Sequence, residues 1–339
     1  MASNPIDKED MLSVIRSMPA QIREGYDIPV HFSLKGSVNK VIFCGMGGSA
    51  ISGMLMETML HDTSLTVLNV QDYQLPTSAD KNSLIFIVSY SGNTEETISC
   101  YREAQRKGLN TIVITSGGKL KEYAETNNIP LLLLPKGIQP RNAIAYMFFP
   151  ILKVLEHTSI LPEQKNDVAS LMSYLTKHRE EYEKTASKIA EDLHGSIPIV
   201  YSSQKLHGIA YRWKCEFNEN AKISSFCGTF PELNHNELVS YVNYGKMHFP
   251  LHVILLRDES ENRRLAKRMD LTKKMIKEAT NNSVKFTDIT VKGDTVLNRI
   301  FTTIYLGDLV SYFLALRYFT DPTPVAIIEN FKKQLGPYV

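Results

Sequence analysis

Short runs dense in Val, Ile, Leu and Phe alternate along this chain with longer stretches in which apolar residues recur every three to four positions. That alternation predicts buried parallel strands joined by crossover helices, an α/β fold. In the first half, Val41–Gly47, Leu65–Val70, Leu84–Tyr90, Thr111–Ser116 and Leu131–Pro135 read as successive strands of one sheet. The helical period predicts helices over Ile6–Ile22, Ala50–Leu60 and Thr94–Gly108, the last with an acidic start and a basic end that suit the helix dipole.

Residues 143–193 are helical in pattern throughout, with a break near Pro162, and read as a connector that carries the domain boundary. The alternation then restarts: Ile197–Ser203, Leu251–Leu256 and Val284–Thr290 as strands, and Leu206–Lys222, Asn262–Ala279 and Val296–Tyr318 as helices. A proline-initiated helix ends the chain. The expected organisation is therefore a first domain over 1–155, a helical connector over 156–195 and a second domain over 196–339. The strand, polar turn and helix of IPIVYSSQKLHGIAYRW repeat the plan of VIFCGMGGSAISGMLM, as an internal duplication would.

Composition narrows the function. The chain has 339 residues, enough for two domains, and a formal net charge of +2, which supplies no basic field for nucleic acid. An anionic ligand must be held by a local site. Cys44, Cys100, Cys215 and Cys227 are scattered, with no zinc-like or disulfide spacing, which suits a reducing cytoplasm. No secretory leader is expected, and no uninterrupted apolar run approaches membrane-spanning length.

Two loops carry candidate chemistry. GMGGSA (Gly45–Ala50) sits where a buried strand hands over to a helix, so Gly48 and Ser49 lie where free backbone N–H groups can cradle an anion. It lacks the spacing of a dinucleotide fingerprint and the lysine of a P-loop. SYSGNTEET (Ser89–Thr97) occupies the equivalent place after another strand and gathers Ser89, Ser91, Asn93 and Thr94 around one turn, with Thr94 as N-cap. A capping box alone accounts for Thr94 and Thr97; a phosphate site accounts for the serines as well.

These motifs resemble the sugar isomerase (SIS) domain, a flavodoxin-like fold that binds phosphosugars. RWKCEFNENAK (Arg212–Lys222), PELNHNE (Pro231–Glu237) and PRNAIAY (Pro140–Tyr146) resemble one branch of it, the bifunctional phosphoglucose/phosphomannose isomerases, over nearly the whole chain. The resemblance implies two SIS-like, parallel-sheet domains with flanking helices, the phosphate on Gly48, Ser49, Ser89, Ser91 and Thr94, and the sugar across the domain cleft. It implies Glu219 as the acid that moves a proton between C1 and C2, with Glu216 one turn earlier as the fallback. Without it, Arg212, Glu216 and Glu219 at i, i+4 and i+7 read as a solvated ion-pair stripe.

It further implies that His235 opens the sugar ring, reaching the site from the neighbouring subunit of a homodimer. Arg141 would face the enediolate, and Lys332, or Lys333 beside it, would complete the site. His235 stands among Asn234, Asn236, Glu232 and Glu237, too polar a setting for a packing histidine, and an imidazole is the side-chain type most used for acid–base work. No cofactor and no metal are expected. The rival readings are a phosphosugar sensor that has lost catalysis, and an aminosugar-phosphate enzyme, for which the sequence shows no glutaminase or lid segment.

Overall fold

In the computed structural model, which describes residues 4–246 and 249–336, the elements run α1 (Met11–Arg16), α2 (Met18–Tyr26), β1 (Lys40–Cys44), α3 (Gly48–Leu60), β2 (Thr66–Val70), β3 (Ser83–Val88), α4 (Glu95–Arg106), β4 (Asn110–Thr115), α5 (Gly118–Thr126) and β5 (Leu131–Leu133). Then follow α6 (Ile144–His157), α7 (Lys165–Lys177), α8 (Arg179–Leu193), β6 (Ile197–Ser203), α9 (His207–Glu219), β7 (Phe226–Phe230), α10 (Glu237–Ser240), β8 (Leu251–Asp258), α11 (Arg263–Ala279), β9 (Lys285–Val291), α12 (Val296–Arg317) and α13 (Ala326–Leu335). The chain divides into two compact units, Ser17–Tyr174 with Lys332–Val339, and Met1–Arg16 with Leu175–Phe331.

In the first unit, five parallel strands lie in the order β2-β1-β3-β4-β5. This is a doubly wound sheet whose order reverses beside β1. The centres of β1 (Val41–Cys44), β3 (Leu84–Val88) and β4 (Ile112–Ile114) are apolar runs because helices cover both faces; every residue of β3 and β4 is buried. On one face Ile42, Ile85, Ile87 and Val113 pack with Ile98, Tyr101 and Leu120 from α4 and α5. In register, Phe43 of β1 meets Phe86 of β3, and their rings stack at 5.2 Å.

The second unit repeats the plan with four parallel strands in the order β7-β6-β8-β9. β7 was not expected as a strand: Phe-Cys-Gly-Thr-Phe is short, contains a glycine, lies at the sheet edge and shows no apolar alternation. The single amphipathic helix expected over Ile6–Ile22 is instead α1 and α2, interrupted at Ser17 with Pro19 opening α2. α1 belongs with the second sheet. Asp7 Oδ1 accepts from the Met11 amide at 2.8 Å, Met11 and Ile15 are buried, and Arg16 forks onto Glu183 of α8 at 2.8 Å.

One described helix, α12, is long and apolar enough to cross a membrane, although Arg299, Asp308 and several hydroxyl residues interrupt its apolar positions, so it is not the uninterrupted run whose absence was expected. Its side chains are those of a core: Ile300, Phe301, Ile304 and Leu309 are fully buried in a helix that packs on α8 and α9.

Candidate active site

Because the strands of each sheet are parallel, every strand-to-helix turn falls at one edge, and in the first unit three such turns meet there. β1 leads through Gly45–Gly47 into α3, β3 through Ser89–Asn93 into α4, and β4 through Ser116 and Gly117 into α5. Each helix presents its free N–H groups and the positive end of its dipole at that edge.

The turns are fastened to one another. The Ser49 hydroxyl, in the first turn of α3, accepts from the Tyr90 amide at 3.3 Å and donates toward Met147 Sδ at 3.3 Å. The Ser89 hydroxyl accepts from the Gly92 amide at 3.1 Å and lies 2.9 Å from the Thr94 hydroxyl. Thr94 does occupy the N-cap of α4, yet its side chain makes no capping bond. Ser91 is exposed, and its hydroxyl accepts from the Asn93 amide at 3.3 Å. Tyr90 between the two serines is an anchor: its ring is buried, its hydroxyl donates to the Pro135 carbonyl at 2.8 Å, and its own carbonyl accepts from Ser116 at 2.7 Å.

The third turn escaped the reading of the sequence, although TSGG after an apolar run is the same punctuation as GMGG. It is packed so tightly that Gly92, at φ +69°, could take no side chain: a Cβ there would lie 1.8 Å from the Gly117 carbonyl oxygen. Asn93 Oδ1 accepts from the Lys119 amide at 3.0 Å, and the Lys136 ammonium stands 3.1 Å from where a Cβ of residue 117 would be. Arg141 joins the first turn. It lies buried in the 3-10 turn Pro140–Ala143, and a Cβ at Gly48 would come within 3.2 Å of its Cα. Six expected residues are thus collected in one unit: Gly48, Ser49, Ser89, Ser91, Thr94 and Arg141.

Glu219 and His235 belong to the other unit. Glu219 is the last residue of α9 and half-buried, whereas Glu216 is fully buried with its Oε1 3.1 Å from Arg212 Nη1. The Arg212–Glu216 pair is therefore no solvated stripe, because Asp308 of α12 meets the same guanidinium at 2.8 Å. Burial, joined by the like charge of Glu216, pushes the Asp308 carboxyl up to about 7 against the pull of Arg212.

His235 is exposed at the end of the turn Glu232–His235, and its polar neighbours are fasteners. Asn234 donates to Thr272 at 2.7 Å, Asn236 donates to Glu232 at 2.9 Å and accepts from the Glu237 amide at 2.6 Å, and Glu237 accepts from the Tyr201 hydroxyl at 2.9 Å. Burial pushes the neighbouring phenol of Tyr241, 2.9 Å from Tyr201, up to about 12. Lys332 lies exposed on α13 and is grouped with the first unit. Among the described residues, no cluster of three or more His, Cys, Asp or Glu could hold a metal ion, and all four cysteines are free thiols.

Each sheet overlaps a segment similar to a known domain family. The SIS domain profile matches residues 37–129, and the profile of the bacterial phospho-glucose isomerase C-terminal SIS domain matches residues 182–335. A bifunctional phosphoglucose/phosphomannose isomerase of Caldicellulosiruptor bescii is 36% identical over 96% of this chain and 99% of its own. A D-glucosamine-6-phosphate 4-epimerase of Sulfolobus acidocaldarius is 35% identical over 65% of this chain and 70% of its own. Among solved structures, the C-terminal domain of glucosamine-fructose-6-phosphate aminotransferase from Francisella tularensis superposes with a TM-score of 0.71 at 14% identity, covering 95% of this chain and 99% of that one, which speaks to the fold alone. With two SIS-type sheets and this identity along nearly its full length, the chain belongs to the family of bifunctional phosphoglucose/phosphomannose isomerases.

Proposed function

We propose that this chain interconverts glucose 6-phosphate and mannose 6-phosphate with fructose 6-phosphate through a cis-enediolate, with no metal and no cofactor. The observation that carries the reading is the fastening of the Gly48–Ser49 turn to the Ser89–Thr94 turn through the Tyr90 amide. It assembles hydroxyls and helix N-termini into one cradle beside Arg141. A sugar phosphate would lie with its phosphate on Gly48, Ser49, Ser89, Ser91 and Thr94.

The chemistry follows from the residue types. His235 protonates the ring oxygen as the C1 hydroxyl loses its proton, which frees the aldehyde. Glu219 takes the C2 proton, the electron pair moves onto the C1 oxygen, and the fixed charge of Arg141 stabilises the enediolate. A proton passes from O2 to O1, and as Glu219 returns its proton to C1 the C2 carbonyl forms, which gives the ketose. The intermediate has lost the C2 stereocentre, so one site serves both epimers when the substrate turns about C2–C3. The exposure of His235 supports its working in the partner's site within a homodimer, and Lys332 would contact the substrate. The free thiols support a cytoplasmic setting.

Turnover in deuterium oxide tests this mechanism. Deuterium entering C1 of fructose 6-phosphate and C2 of the aldoses, with EDTA present throughout, is the expected result; a direct hydride shift would leave both carbons unlabelled. The Sulfolobus relative supplies a second reading, epimerisation at C4 of an aminosugar phosphate. Turnover of D-glucosamine 6-phosphate with no fructose 6-phosphate formed from either hexose phosphate would favour it.

A further inference from the structure

α9 is tied to α12 by a chain of polar side chains removed from water. Arg212 forks onto Asp308, Nε to Oδ1 at 3.0 Å and Nη2 to Oδ2 at 2.8 Å, and its Nη1 reaches Glu216 Oε1 at 3.1 Å. The other oxygen of Glu216 accepts from Asn220 Nδ2 at 2.8 Å, and that same amide reaches Ser311 Oγ at 3.0 Å. The Ser311 hydroxyl then donates to the Asp308 carbonyl at 2.8 Å, which closes the circuit on α12. None of these five side chains belongs to a residue more than 3% exposed.

Stability alone is a poor reason to keep such a cluster. Two carboxylates and one guanidinium pay a large desolvation cost, and well-packed apolar side chains of the same volume commonly stabilise as well. What the circuit does provide is a fixed end to α9. The last turn of a helix frays unless its groups are held, and here Asn220, immediately after Glu219, is pinned by its side chain at two points. Lys222 adds a third hold, its ammonium donating to the carbonyls of Glu219 at 2.7 Å, Asn220 at 3.2 Å and Pro322 at 3.0 Å. Glu216 and Glu219 stand three residues apart and so are neighbours on the helix surface.

We infer that the circuit Asp308–Arg212–Glu216–Asn220–Ser311 positions the Glu219 carboxylate for proton transfer, which makes Asn220 and Ser311 positioning residues of the isomerisation. This rests on Glu219 as the proton-transferring acid. A misplacement of about 1 Å at a reacting group can cost on the order of 100-fold in rate, and the loss falls on turnover because substrate binding does not pass through these residues.

The test compares kcat, KM and pH profile for Ser311→Ala, Asn220→Asp and Glu219→Gln, each with its urea midpoint. Ser311→Ala removes one oxygen; Asn220→Asp keeps shape and loses the donor. Both are expected to lower kcat by about 10- to 100-fold with KM within about twofold of wild type. The deficit of Asn220→Asp should shrink as pH falls and its carboxyl regains a proton to donate. Folded Ser311→Ala and Asn220→Asp with wild-type kcat, beside an inactive Glu219→Gln, would overturn the positioning role alone. A Glu219→Gln enzyme that keeps wild-type kcat would overturn the assignment of the base, and the positioning role with it.

Discussion

Gly48 faces the backbone of Arg141 so closely that a Cβ at position 48 would lie 3.2 Å from the Arg141 Cα and 3.2 Å from the Pro140 carbonyl oxygen. The turn proposed to hold the phosphate and the arginine proposed to stabilise the enediolate are therefore set by one backbone contact. Gly48→Val should push the two apart and lower kcat/KM by about 10- to 100-fold, with a smaller loss for Gly48→Ala. The urea midpoint should move little, because a β-carbon in the first turn of a helix offsets strain with better helix propensity. Steady-state kinetics beside a urea melt checks this; a parallel loss of stability and activity would speak for general disruption.

Thr94 offers a cleaner separation of binding from stability. Its hydroxyl pairs with Ser89 at 2.9 Å and makes no capping bond. Thr94→Ala should therefore cost less than the ~1 kcal/mol usual for a lost N-cap, yet raise KM for a hexose 6-phosphate by roughly 10-fold, as loss of a hydrogen bond to a charged group does. Thr295 is the control, since its hydroxyl accepts from the Asn298 amide at 3.2 Å as a true cap. Thr295→Ala should lower stability by ~1 kcal/mol and leave KM unchanged.

The buried cluster on α9 and α12 gives stability a pH dependence of stated sign. The Asp308 carboxyl, raised to about 7 in the folded chain from 3.8, binds its proton more tightly folded than unfolded. Its contribution is thus fully present below about pH 4 and is lost as pH rises to 7, by at most about 1.4 kcal/mol per pH unit. Glu216→Gln removes the like charge and should flatten this slope. Urea midpoints of both proteins at pH 5 and pH 7.5 measure it; an unchanged slope in the variant would remove Glu216 as a cause.

Subunit mixing tests where His235 acts. If His235 serves the partner's site, Glu219→Gln and His235→Ala are each inactive, while co-expressed chains form mixed dimers with one intact site of two. About a quarter of wild-type activity should return, half the dimers being mixed with half their sites intact. No return of activity would assign His235 to the site of its own subunit.

How much could be read ahead of the structure depended on the range of the interactions. β1, β3 and β4 were legible because strands buried on both faces carry apolar runs at their centres, and the Gly48–Ser49 and Ser89–Thr94 loops because small and hydroxyl residues after such runs are a local signal. β7 was not, since an edge strand such as Phe226–Phe230 shows no apolar alternation. The break at Ser17 was hidden by an amphipathic pattern that continues through it. Arg212 and Glu216 looked like a surface pair because what buries them, Asp308 and Ser311, lies more than ninety residues further along. The chemical roles of Glu219, His235, Arg141 and Lys332 came from resemblance; no spacing in the chain supplies them.

The most direct test of the central claim is a coupled assay of the purified protein for fructose 6-phosphate formed from glucose 6-phosphate and, separately, from mannose 6-phosphate, with Glu219→Gln measured alongside. Turnover of both substrates by wild type, and of neither by a folded variant that still binds them, is the expected result. Wild-type protein that binds both phosphosugars and converts neither would contradict it.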